Sequence, residues 1–93
     1  MSFIPTEQLT FTTVDAERRR LLHYCRITKD RALSINVKQV SHCDSAGLAF
    51  LIEFKRLAQH YKKPSKIEDL SAIIVALATF YGVNELLEDV DYS

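Results

Sequence analysis

Between Ala32 and Tyr61 the apolar residues change period, and the change falls on one short segment. In "ALSINV" (32–37), Leu33, Ile35 and Val37 alternate with Ser34 and Asn36, the period-two pattern of a half-buried strand. Beyond Ser45 the spacing turns helical, and Phe50, Leu51, Phe54, Leu57, Ala58 and Tyr61 fall on one stripe. The pattern predicts a helix from Ser45 to Tyr61 or Lys62. Pro64 then removes a backbone donor and restricts the residue before it. A strand feeding a long amphipathic helix confines the chain to architectures in which helices pack on a sheet.

The same alternation continues on both sides. "SFIPTEQLTF" (2–11) is apolar but broken by Pro5, which suits an edge strand or extended arm. Thr12 or Thr13 then caps a helix over Val14 to Ile27, with Val14, Leu21, Tyr24 and Cys25 on one side. Asp15, Arg19, His23 and Arg26 cover its other side. "SKIEDL" (65–70) is a polar strand candidate, followed by a helix capped at Ser71 and stopped at Gly82. The expected stripe of that helix is Ile73, Ile74, Leu77, Phe80 and Tyr81. "NELLEDVDYS" (84–93) is acidic and expected to hold a short strand or turn. The sum is an α/β fold: one domain over residues 1–93, a small mixed β-sheet with about three helices mainly on one face.

Length and charge narrow the partners. A 93-residue chain makes one small domain with a modest buried fraction, so it is marginally stable or partnered. Twelve basic and twelve acidic residues cancel, which predicts no nucleic acid and no direct membrane binding. No window approaches a membrane span and "MSFIP" is not a signal peptide, so a cytoplasmic protein is expected. Cys25 and Cys43 lack the tight spacings of a zinc site; reduced thiols, no metal and no cofactor are expected. The arginines at 18–20 point in different directions around a helix and read as a solvated face.

"SHCDSAGLAF" (41–50) carries the functional question. Asp44 and Ser45 are preferred N-cap residues, and Gly47 permits close packing in the first turn. Catalysis by Ser45 needs a base and an oxyanion hole. The hydrolase elbow wants glycines two before and two after the serine, but Cys43 occupies the first place. His23, His42 and His60 sit in no triad order, so no catalytic residue is assigned and the chain is not read as an enzyme. Docking is the third reading. Leu48 and Ile52 lie off the main stripe on the side of Ser45, between Lys55, Arg56 and Gln59. The competing expectation is that a neighbouring helix covers them. A phosphate on Ser45 would favour the helix N-terminus yet repel a partner at a tight interface.

The chain resembles STAS domains in the order strand, "CDSAGLAFL", long helix and "ALATFYGVNELL". Within them, "QLTFTTV", "DSAGLAFLIEFKRLAQ" and "LATFYGVNELL" look like the MlaB-like subunits of Mla-type phospholipid ABC transporters, over residues 8 to 87. The resemblance implies a non-enzymatic accessory subunit that docks on the transporter's ATPase and reaches the inner membrane only through that complex. It places Ser45 at the contact, supported by Asp44, Ala46, Gly47 and Leu48. With the wheel, the expected partner-binding set is His42, Asp44, Ser45, Ala46, Leu48 and Ile52. The alternative is an anti-sigma-factor antagonist switched by phosphorylation of Ser45. Two departures stand out: a truncated N-terminal strand and the polar "SKIEDL", which should pair poorly and raise dependence on a partner or on self-association. Residues 88–93 are a candidate tail.

Overall fold

The computed structural model describes residues 1–88. The chain runs β1 (Gln8–Leu9), α1 (Val14–Ile27), β2 (Leu33–Asn36), β3 (His42–Cys43), α2 (Ser45–His60), β4 (Ser65–Glu68) and α3 (Ala72–Tyr81). A single 3-10 turn follows at Asn84–Leu87. The tail expected over 88–93 lies, from residue 89 onward, outside the described residues.

The helix boundaries follow their punctuation. α1 spans the expected residues. α2 stops one residue early, with the Tyr61 amide bonded back to the Leu57 carbonyl at 2.9 Å and Lys62 turned left-handed at φ 54°. Ser71 Oγ accepts from the Ile74 amide at 3.2 Å, and Gly82 ends α3 at φ 69°, where a side chain would be strained. The expected threonine cap of α1 needs correction. Thr13 makes no side-chain cap; its hydroxyl donates to the Gln8 carbonyl at 2.6 Å and accepts from the Thr10 amide at 3.0 Å. It stitches the β1–α1 turn instead.

The single mixed sheet expected from sequence is corrected: among the described residues the strands form two two-stranded sheets, both parallel. β2 pairs parallel with β4, from Leu33 opposite Ser65 to Asn36 opposite Glu68. β1 pairs parallel with β3, as Gln8 opposite His42 and Leu9 opposite Cys43. Phe3 forms a further parallel bridge opposite Ile35. Each pair joins strands separated by a helix, and a chain carried back by a helix re-enters in the parallel sense. "SKIE" also pairs over all four residues, against the expectation of poor pairing. Ser65 and Ile67 point inward and Lys66 outward, and that alternation suffices for a strand covered on one face.

α2 organises the core. It buries Leu48, Phe50, Leu51, Phe54 and Ala58 and packs against α1, α3 and the 3-10 turn. Phe54, Leu9, Leu21, Leu33, Ile35 and Ile74 are all fully buried in one core. Each such side chain contributes about 1.5–3 kcal/mol by leaving water. Buried Lys55 donates to the Ser65 carbonyl and hydroxyl at 3.2 and 3.1 Å, tying α2 to β4. Both oxygens of buried Glu17 accept from Arg20 Nη1, at 2.7 and 2.6 Å, and Oε1 also accepts from the Thr6 amide, which pins the N-terminal arm to α1.

The stripe expected on α3 is corrected by the packing. Only Ile74 and Ala78 are buried, with Leu77 half-buried, whereas Ile73, Phe80 and Tyr81 face outward. No helix among the described residues is long and apolar enough to cross a membrane.

Candidate docking site

The segment from His42 to Leu48 is built by β3 running directly into α2. Asp44 is the single residue between them, and its two carboxylate oxygens do different work. Oδ1 accepts from the Gly47 amide at 3.0 Å, capping α2, while Oδ2 accepts from the Phe11 amide at 3.0 Å. One side chain thus fastens the β1–α1 turn to the start of α2. Those two amides hold the Asp44 carboxyl below the usual carboxylate range. Gly47 and Cys43 are committed to the fold as well. Gly47 is buried, with its α-carbon against the Leu9 carbonyl of β1. Cys43 is half-buried and donates to the Asp44 carbonyl at 3.6 Å; burial, reinforced by the Asp44 charge, pushes its thiol up to about 11. A thiol so protonated at neutral pH is a poor nucleophile.

Leu48 corrects the expectation most directly. It is 3% exposed and belongs to the core, so it supports the face from beneath and does not meet a partner. Ile52 is half-buried and packs against the core with part of its side chain still open. His42 is exposed, its Nδ1 3.1 Å from Ser41 Oγ. Ala46 is half-exposed. Ser45 is exposed, and its hydroxyl makes no hydrogen bond among the described residues.

The open side of α2 is therefore Ser45, Ala49, Ile52 and Arg56, spaced four, three and four residues apart on one helical line. Toward α1, Ala49, Ile52, Arg56, Leu57 and His60 line a groove of about 590 Å³, bordered by the Arg18–Glu53 ion pair at 2.8 Å. Two contributors escape a wheel drawn on α2 alone. Ala49 looks too small to mark a surface. Phe11 lies in the β1–α1 turn, yet the residue is 75% exposed and its amide is bonded to Asp44. The signal was an aromatic inside the threonine turn "TFTT", where no core position is available.

The sequence pattern of the STAS domain matches residues 2–88 of this parallel β/α chain. The chain belongs to the STAS family. The STAS fold recurs in the crystal structure of a sulfate transporter family protein from Wolinella succinogenes, with a TM-score of 0.71 at 16% identity. That likeness covers 92% of this chain and 69% of the other, and at this identity it concerns the fold alone. Among curated proteins none matches the chain. STAS domains are typically binding and regulatory modules.

Proposed function

We propose that this STAS domain is a cytoplasmic accessory subunit that docks on the ATPase of a phospholipid-transporting ABC complex and supports its assembly or activity. The observation that carries the docking reading is the division of labour in the motif. Asp44 caps, Gly47 admits β1, Leu48 fills the core, and Ser45 alone is exposed with nothing to do in the fold. Ser45 heads the open line through Ala49 and Ile52, with Phe11 and His42 beside it. A face held this firmly loses little conformational entropy when a partner covers it. The resemblance of "DSAGLAFLIEFKRLAQ" and "LATFYGVNELL" to MlaB-like subunits supplies the ATPase as partner.

Ser45→Lys tests the reading, because the position is exposed and a lysine there leaves the cap and the core intact. The variant should keep its circular dichroism and lose co-purification with the ATPase. Retained binding sinks the proposal. The free, exposed hydroxyl also suits a phosphate-controlled version, as in an anti-sigma-factor antagonist. There, mass spectrometry of the native protein should find phosphate on Ser45, and a kinase-type partner should release the phosphorylated form.

A further inference from the structure

α3 has no charged residue, and among the described residues no other helix exposes as many large apolar side chains. Ile73 is 61% exposed, Phe80 81% and Tyr81 51%. Ile73, Ala76 and Phe80 lie three and four residues apart, so they form one ridge along the outer side of the helix. The Phe80 and Tyr81 rings meet edge to face at 5.2 Å, which widens the ridge at its end. Single exposed apolar residues are ordinary; a contiguous row of them marks association.

Charge decides what fits there. The zero net charge conceals a division along the chain. Residues 64–93 contain one cation, Lys66, against six acids, Glu68, Asp69, Glu85, Glu88, Asp89 and Asp91, hence −5. Residues 1–63 contain the other eleven cations and six acids, hence +5. Asp69, before the Ser71 cap, and Glu85, after Gly82, are both exposed and flank the ridge in sequence; Asp69 Oδ2 accepts from Asn36 Nδ2 at 2.8 Å, and Glu85 lies in a cleft with Arg56 of α2. Two copies meeting through α3 would set these acids against each other in either symmetric orientation, which opposes a dimer. An anionic lipid surface is opposed for the same reason.

We propose that the α3 ridge is a second docking surface, complementary to a basic amphipathic helix of another protein. The partner's apolar stripe would cover Ile73, Ala76 and Phe80, and its lysines or arginines would face Asp69 and Glu85. Glu85 shares a cleft with Ile52 and Arg56 of α2, whereas Ile73, Ala76 and Phe80 do not line it, so the response of Ile73 and Phe80 separates the two assignments.

The test uses two synthetic helical peptides with one leucine stripe, flanked either by lysine and arginine or by glutamate. Each is titrated into protein carrying isotope-labelled isoleucine methyls. The basic peptide should shift Ile73 while its buried neighbour Ile74 moves little, and it should bind about tenfold more tightly than the acidic one, a difference of about 1.4 kcal/mol. Phe80→Ser should weaken binding with unchanged circular dichroism, and Glu85→Lys should erase the preference between peptides. No binding, equal binding of both peptides, or shifts confined to Ile52 overturn the proposal. So does dimerisation in sedimentation equilibrium, or binding to phosphatidylglycerol vesicles, that Phe80→Ser abolishes.

Discussion

A Cβ on residue 47 would lie 2.0 Å from the Leu9 carbonyl oxygen and 2.8 Å from Cys43 Sγ. Two effects oppose each other in Gly47→Ala. Helix propensity favours alanine by about 1 kcal/mol. The clash is with backbone, which cannot swing aside, and overpacking of this kind typically costs about 1–3 kcal/mol. The clash should win. We expect a net loss of about 1–2 kcal/mol in denaturant unfolding, while an isolated α2 peptide gains helicity from the same change. A variant as stable as the parent would show that β1 yields easily. Asp44→Asn probes the neighbouring residue. An amide offers one oxygen to two N–H donors, so Gly47 or Phe11 loses its acceptor, at a cost of about 1 kcal/mol. The folded Asp44 carboxyl is held low, so its contribution is present above the unfolded value of about 3.9 and lost as pH falls through the lower folded value. Parent and variant should therefore differ at neutral pH and converge in acid. A gap independent of pH would mean that the carboxylate charge is irrelevant.

Among the elements, those whose own residues carry both period and punctuation were legible in sequence. α1 and α2 announced themselves by stripe and by Asp44, Pro64 and the change of period, and Ser71 and Gly82 bracketed α3. What failed was orientation. On a wheel Leu48 seemed open and Ile73, Phe80 and Tyr81 seemed buried, because a wheel identifies apolar arcs and not which arc a neighbour covers. α2 meets α1, α3 and the 3-10 turn, so even its flank is enclosed. α3 has less company, and an all-apolar helix leaves its outer arc exposed. The first strand was anticipated only as an edge strand or extended arm over 2–11, and the two-residue β3 was invisible, because the pairing of β1 with β3 depends on long-range contact, with Gly47 against Leu9, and not on local pattern. Adjacent isoleucines on α3 make the orientation measurable. Ile74→Ala should cost about 2–4 kcal/mol, as a fully buried aliphatic does, and Ile73→Ala less than about 0.5 kcal/mol. Comparable losses at both positions would place the outer arc under cover.

For the whole molecule, these differences in burial become differences in local stability. α2 contributes seven buried residues of sixteen and touches most other elements, so its amides should open only with global unfolding. α3 contributes two of ten, and its outer ridge adds nothing to the free protein. It is nevertheless held at both ends by the Ser71 cap and by Gly82, with the Val83 amide returning to the Ala78 carbonyl at 2.9 Å. The expectation is a formed helix that opens first. In native-state hydrogen exchange followed by NMR, α3 amides should open with a free energy below that of α2, and increasing denaturant should separate the two before global unfolding. Equal protection would mean that α3 belongs to the central cooperative unit. Occupation of the ridge supplies the complementary measurement. A ligand that binds only formed α3 stabilises it by mass action, about 2.7 kcal/mol at one hundred times its dissociation constant. Saturating basic peptide should therefore raise α3 protection toward the α2 level while leaving α2 unchanged. A rise spread evenly over both helices would place the contact on α2 and its Ser45 face instead.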